Sequence, residues 1–476
     1  MENRRVLGIL VLGTMMGALD STVVLLALPS LTSSLATNLS SSIWVILSYI
    51  LVLAVATTQF GRIGDIFGRS RMFNTGFAIF TIGSALCGLS PSIAYLNIFR
   101  IIQAVGGALL TATSGAIIAD VFAPDKRGHA FGYLSVGWSA GATLGIVLGG
   151  VLTTFFGWRY IFYINVPIGI IAVILGMKYL KDNPRIKSSI DFIGMALLGA
   201  GLFLLSLGAV DFASQGAALF NEGMIVLGFI ILVLFVLWER RTSMPMLNFG
   251  VFKSKVLTAS ILASLFQSLG YFSVTFIIIM YLQGIRGLNP LDASVLLIPG
   301  YIAAAFLGPY MGKLSDRIGA RVIATVGIFL MCATVLMYLF ITTTTPLYFI
   351  LVATFISGVG LSMFFPANNS AVMAHTEPEH YGSISGLLRT TTSIGTLGSY
   401  VILITAATAG ISRTIAFQVF VGTSNLIGGV SIDFLNGLKA ALVVCLALLI
   451  ISGILSALRG KENRAKIAKE SKRRRS

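Results

Sequence analysis

Fourteen apolar stretches follow one another along this chain with short polar connections between them. They run approximately over 6–28, 43–60, 72–90, 94–118, 130–153, 160–180, 192–210, 223–238, 256–282, 293–311, 322–342, 346–372, 384–407 and 434–458. One crossing of the ~30 Å hydrocarbon layer takes about 20 helical residues. In lipid the backbone polar groups must be satisfied within the segment, so runs of this length take the helical form. Charged residues make up 11% of the chain, against about 25% in a soluble domain. That excludes an ordinary cytosolic enzyme, a disordered chain and a disulfide-stapled secreted one. The first run follows Arg4 and Arg5 as a signal peptide would. It is too long for one, contains Asp20 and leads into further runs, so it reads as the first membrane helix. The expected fold is an all-α integral membrane protein of fourteen transmembrane helices in a lipid bilayer.

The net charge of +16 raises the question of nucleic acid, and its distribution answers it. Nine of the 33 Lys and Arg residues lie between Arg459 and Arg475. With the amino terminus inside, the inner connections and both termini hold 27 of them, and the outer side holds four: Arg159, Arg286, Arg413 and Lys439. Arg100 and Arg389 lie within segments. This is the positive-inside pattern of a multi-pass protein of the cell membrane with both termini cytoplasmic. The tail reads as a cytoplasmic extension near anionic lipid, and nucleic acid is not expected as a partner. Cys87, Cys332 and Cys445 match no disulfide or metal spacing. No metal and no cofactor is expected, and there is no Gly-x-x-x-x-Gly-Lys-Ser/Thr loop for a nucleotide. An enzyme embedded in a membrane would cluster its acids; the 17 here are scattered.

One repeat is visible. Gly61-Arg-Ile-Gly-Asp65-Ile-Phe-Gly68-Arg69-Ser-Arg71 falls between the second and third segments, and Gly312-Lys-Leu-Ser-Asp316-Arg317-Ile-Gly319-Ala-Arg321 between the tenth and eleventh. Both lie on the inner side and run in the same direction, as parallel repeats require. The offset spans eight segments, so a duplicated six-helix unit leaves two helices over. The seventh and eighth are the inserted pair, which gives a bundle over 1–180, a helix pair over 190–240, a second bundle over 256–458 and a basic tail over 459–476.

Asp20 is the sharpest chemical candidate. It lies fourteen residues after Val6, about 21 Å along a helix rising ~1.5 Å per residue. A charge so deep costs at least ~2.5–3.5 kcal/mol on insertion scales, so it faces a wet cavity or a partner. A carboxylate there can take a proton or a cationic substrate in turn. The alternative is a packing carboxylate bonded to Ser21 or Thr22. Arg100 and Gln103, three apart, share one face of the fourth helix. Arg100 begins near the outer end of its helix, within reach of a water-mediated interaction with Asp20 or of snorkelling to the surface. For Arg389, near the inner end of the thirteenth helix, snorkelling and substrate contact both stand. In the repeated loops Gly61 and Gly68 permit close approach and a tight turn. Asp65 can accept from Arg69 or from a helix N-terminus. Gly137, Gly141, Gly145 and Gly149 recur on one face of the fifth helix, which lets another helix approach closely.

Taken together, the sequence resembles a major facilitator superfamily transporter, and more closely its fourteen-helix drug:proton antiporter branch. The resemblance spans almost the whole chain. It rests on the two loops, on Leu19-Asp20-Ser-Thr-Val-Val-Leu-Leu-Ala-Leu-Pro29, on Arg100-Ile-Ile-Gln103-Ala-Val-Gly106-Gly107, on Gly145-Ile-Val-Leu-Gly149-Gly150 and on Gly157-Trp158-Arg159-Tyr-Ile-Phe-Tyr-Ile-Asn165-Val-Pro167. The family usually has proline where Ile146 stands, glycine at Ala104 and a basic residue at Thr392. The resemblance implies two six-helix bundles with a parallel pseudo-two-fold repeat around a central cavity, working by alternating access as a monomer. It implies export of a small amphipathic or cationic compound in exchange for protons. A dedicated exporter or importer of one metabolite, lipid or peptide is the alternative on the same fold. It further implies that Arg100 faces the cavity and influences proton movement. The Asp65 cluster would latch the inner side in one state, with Asp316, Arg317 and Arg321 as counterpart. The tenth helix, from Ala293 to Met311, carries no acid, so monovalent or neutral substrates are expected.

Overall fold

The computed structural model describes residues 2–122, 124–182, 190–216, 218–242, 245, 254–376, 381–408 and 430–460. Fourteen of its helices are long and apolar enough to cross a membrane, and no strand occurs among the described residues. They are α1 (Glu2–Ser34), α2 (Trp44–Phe67), α3 (Arg69–Leu89), α4 (Ile93–Val121), α5 (Pro124–Phe155), α6 (Tyr160–Tyr179), α7 (Phe192–Gln215) and α8 (Leu219–Glu239). The second half follows with α9 (Lys255–Met280), α10 (Pro290–Ile318), α11 (Ala320–Leu339), α12 (Leu347–Ala374), α13 (Tyr381–Thr408) and α14 (Val430–Leu458). Every expected segment is present. Tail residues 461–476 lie outside the described ones. Arg459, expected to open that tail, is instead buried, and its guanidinium donates to Ser456 O and Oγ at 3.1 and 2.5 Å.

The loop motifs are less loop than their polarity implies. α2 continues through Gly61 and Asp65 to Phe67, and α10 through Gly312 and Asp316 to Ile318. Each chain then turns on a glycine, Gly68 at φ 107° and Gly319 also at φ 107°, a region closed to most side chains. The matched backbone is the repeat made visible. Helix contacts repeat too: α1 on α5 matches α9 on α13, and α3 on α4 matches α11 on α12. The bundles meet along two seams exchanged by the pseudo-two-fold, α2 with α13 and α5 with α10.

Glycine sets the tightest packing in the first bundle. α1 and α5 run parallel, with Gly137 over Val11, Gly141 over Met15, Gly145 over Leu19 and Gly149 over Val23. A Cβ on Gly145 would stand 2.6 Å from Leu19 O, so a side chain here must push the helices apart. Gly150 points elsewhere: its Cβ would meet Leu291 Cα of α10 at 3.0 Å, at the seam between bundles.

The apolar packing between the bundles is continuous on one side. Away from the termini, residues from Leu19 to Leu31, with Ile43, Trp158 and Phe162, join the second bundle in one continuous apolar cluster. Gln283 Nε2 donates to Leu26 O there at 3.2 Å, and Leu291 N to Thr154 Oγ1 at 3.2 Å. Toward the termini the first bundle keeps its own cluster, including Leu10, Phe73 and Ile118, and the second keeps another around Ile261 and Leu387.

The inserted helices pack on each other, and α7 lies on both α2 and α13. Trp44 meets Phe203 at 5.5 Å between ring centroids, and a Cβ on Gly199 would stand 3.5 Å from Val55. Asp191 N donates to Gln59 Oε1 at 3.2 Å, and Arg62 Nη2 to Pro245 O at 2.6 Å. These polar ties run to α2, and α7 covers the α2–α13 seam.

Candidate functional site

In α1, Leu19 faces the glycines of α5, so Asp20, about 100° further round the helix, turns into the middle of the first bundle. There Asp20 is wholly buried, and its Oδ2 accepts from Arg100 Nη1 at 2.6 Å. Its Oδ1 accepts from Gln103 Nε2 at 2.8 Å and from Asn165 Nδ2 at 3.2 Å. Gln103 Oε1 takes a second Arg100 Nη1 contact at 2.8 Å, and Arg100 Nε donates to Val45 O at 2.9 Å. The Tyr49 ring lies under the guanidinium at 4.3 Å from its centroid. Ser84 Oγ receives both Gln103 Nε2 and Asn165 Nδ2, at 3.1 and 3.2 Å.

Five elements therefore converge: α1, α2, α3, α4 and the start of α6. A buried ion pair is tolerable only when its remaining lone pairs and protons find partners, and here the amides and the aromatic face supply them. Asp20 and Arg100 meet directly rather than through water. Ser21 and Thr22 turn away and donate to carbonyls such as Gly17 O and Ala18 O, at 2.8 and 3.1 Å. Arg100 was expected to face the central cavity or to snorkel; it is 1% exposed and enclosed inside one bundle. The reason is geometric, since Asp20, the one acid at that depth in α1, lies inside the bundle.

Arg389 is not part of this cluster. It is part-buried on α13, next to Thr390, whose hydroxyl pairs with Thr58 Oγ1 across the seam at 2.7 Å. The loop cluster is a second, separate assembly. Arg69 Nε donates to Asp65 Oδ1 at 2.7 Å and its Nη1 to Asp120 Oδ1 at 2.5 Å. Gly61 and Gly64 let α4 come close, near Ala112 O and Thr113. All of these contacts stay within the first bundle. Asp182, just past α6, accepts from the N–H groups of Ser70 and Arg71 at 2.9 and 3.1 Å, and Ser70 Oγ donates to Lys181 O. Asp65 therefore serves Arg69, and Asp182 takes the free N-terminus of α3. The Arg71 side chain is exposed, as is Arg317, and Arg321 is part-exposed in the second copy; the Asp316 side chain lies outside the described residues.

Asn165, Ser84, Tyr49, Asp120 and Asp182 complete these sites beyond the residues singled out by sequence. Asn165 sat inside a quoted motif, and Asp182 in the basic run after the sixth segment. The others are neutral or helix-end residues with no periodic signal. Among the described residues no group of three metal-ligating side chains occurs.

Fourteen membrane-spanning helices in two bundles related by a pseudo-two-fold, with an ion pair enclosed in one of them, have the architecture of a membrane transporter. The family model described as Major Facilitator Superfamily matches residues 10–400, and the chain belongs to that superfamily. It is 32% identical over 387 residues to the riboflavin transporter RibZ of Clostridioides difficile, covering 81% of this chain and 84% of that one. It is 30% identical over 413 residues to the multidrug resistance protein Stp of Mycobacterium tuberculosis, covering 85% and 76%. Its fold matches a bacterial homologue of the human lysosomal transporter Spinster, solved inward-facing and unoccupied, at a TM-score of 0.66 and 18% identity over 96% of this chain and 97% of that one.

Proposed function

We propose that this chain exports small amphipathic compounds across the plasma membrane in exchange for protons, with Asp20 as the coupling group. The observation that carries the reading is the enclosed Asp20–Arg100 pair at 2.6 Å. A proton reaching Asp20 cancels its charge and dissolves the pair. Gln103 and Asn165 can reorient their amides to suit the neutral acid, and Arg100 is released to seek another acceptor. The polar ties between α1, α2, α4 and α6 change together, which supports a switch that rocks the first bundle against the second. Apolar packing that joins the bundles away from the termini and divides into separate clusters toward them supports one state of alternating access. The Asp65–Arg69–Asp120 cluster would reach the second bundle in the other state. The charge asymmetry supports cytoplasmic termini, and the self-contained pair of bundles supports a monomer divided at 1–180, 190–240 and 256–458, with a basic tail over 459–476.

The driving force suffices. A membrane potential supplies ~2.3 kcal/mol per charge per 100 mV. At ~1.4 kcal/mol per tenfold ratio, one net charge per cycle sustains roughly a fiftyfold gradient.

The test is proton flux into liposomes holding the purified protein as candidate compounds are added, for the parent chain and Asp20→Asn. The parent should exchange and the variant should not. Equal exchange by both removes Asp20 from the coupling role. A dedicated carrier of one metabolite is the second reading, favoured by the match to a riboflavin transporter; a panel of unrelated compounds with a single responder would establish it.

A further inference from the structure

Arg389 is a cation with no counter-ion among the described residues. Arg389 makes no hydrogen bond or ion pair among the described residues, although it lies eight residues, about 12 Å, inside α13. Its direction follows from its neighbours. Thr390 points at α2, while Gly395 and Ser399 pack on Ser268 and Ser273 of α9. α2 and α9 belong to opposite bundles. The wedge of α13 between those two faces holds Arg389, Thr392, Ser393 and Thr396, all part-buried and within about 100° of one another. This polar face lies between the helix's contacts with the two bundles and is not fully buried.

Depth can be assigned by register. Thr58 lies nine residues beyond Tyr49 on α2, so the Thr58–Thr390 contact is about 13 Å nearer the termini than the Asp20–Arg100 pair. Gly137 packs on Val11, nine residues before Asp20, which puts Trp138 of α5 in the same layer. Trp138 is 42% exposed and meets Phe365 of α12 at 6.2 Å between ring centroids. Between this layer and the Asp20–Arg100 pair α1 carries the part-buried Thr14 and Gly17, and the exposed Ser21 lies at the level of that pair. No carboxylate balances Arg389 here: Asp20 is enclosed and held by Arg100, and the other described acids lie near helix ends or in connections.

We infer that this layer is an anion site, and that Arg389 anchors the negative group of an aromatic amphiphile whose rings lie against Trp138 and Phe365. The transported class is then neutral to monoanionic, and matched cations are disfavoured. The inference deepens the reading of the chain as a small-molecule exporter and owes nothing to its proton coupling. A guanidinium takes a carboxylate or a phosphate in the same bidentate way, so a free solute and a lipid headgroup share the chemistry.

The experiment is equilibrium binding without any gradient, to purified protein in nanodiscs of phosphatidylcholine, of 2-naphthoate, 2-naphthalenemethanol and 2-naphthylmethylammonium. The parent should bind the anion at least tenfold more tightly than the cation. Arg389→Gln should remove that preference while holding the neutral probe within twofold, and Arg389→Lys should retain part of it. Repeating the series in phosphatidylglycerol separates the sources: weaker naphthoate binding that depends on Arg389 marks lipid phosphate as a competitor, and unchanged binding marks a solute site. A parent that binds the cation as tightly as the anion overturns the inference, as does a preference that survives Arg389→Gln. Should that variant not fold, the parent's own preference still decides. Loss of proton exchange in liposomes would leave this result untouched.

Discussion

Arg100 grips Asp20 across 80 residues of sequence, 2.6 Å apart, with side-chain exposures of 2% and 0%. Such a pair is held by its surroundings as much as by its own attraction. Removing one member strands the other in a low-dielectric interior, which typically costs ~3–5 kcal/mol. Arg100→Ala should therefore lower the unfolding temperature in detergent sharply, and Asp20→Asn less, because its amide still accepts. The double variant Asp20→Asn/Arg100→Gln should recover part of the loss in a double-mutant cycle. Additive effects would mean that the pair contributes nothing beyond its separate members.

The glycine register gives a second expectation. Gly145→Ala places a methyl against Leu19 O and the Thr22 hydroxyl, and overpacking of this kind costs ~1–3 kcal/mol. Gly17→Ala meets nothing within 4 Å and should gain ~0.5–1 kcal/mol from lower backbone freedom. Thermal unfolding of the two variants side by side should move in opposite directions.

Asp182 caps α3 from outside that helix. Asp182→Ala should cost about 1 kcal/mol and speed hydrogen exchange at the Ser70 and Arg71 amides, with Gly64 and Ile118 amides unaffected. Unchanged exchange at Ser70 would show that solvent caps the helix as well as the carboxylate does.

The ties of α7 lead to a crosslinking test. A Val55→Cys/Gly199→Cys disulfide joins α2 to a helix already bound to it, and transport should continue. A Thr154→Cys/Leu291→Cys disulfide joins the two bundles where they are closed, and transport should stop until reductant is added. The native cysteines Cys87, Cys332 and Cys445 are buried and free, so they do not confuse the assay. Continued turnover with the second bond intact would rule out separation of the bundles on that side.

Much of this was legible in the residues themselves. Fourteen spans, the repeat and the glycine face of α5 follow from local composition and spacing, and local signals survive folding. Asp20, Arg100 and Gln103 stood out because charge and amide are costly in lipid. Their mutual contact was not legible, since it depends on how α1 and α4 are rotated inside the bundle. Tyr49 and Ser84 carried no signal for the same reason. The loops misled through their polarity: Gly61, Gly64 and Gly68 are spaced for a helix face, and the chain keeps helical form until it turns at Gly68, which permits a φ of 107°.

The pseudo-two-fold makes both seams alike in backbone, but α7 roofs just one of them. Among the described residues the flank along α2 and α13 is shingled by α7, whose N-terminal Asp191 is tied to Gln59, while no inserted helix packs along α5 and α10. Two halves alike in backbone are thus no longer interchangeable, and lateral pressure from a bilayer acts on a lopsided machine.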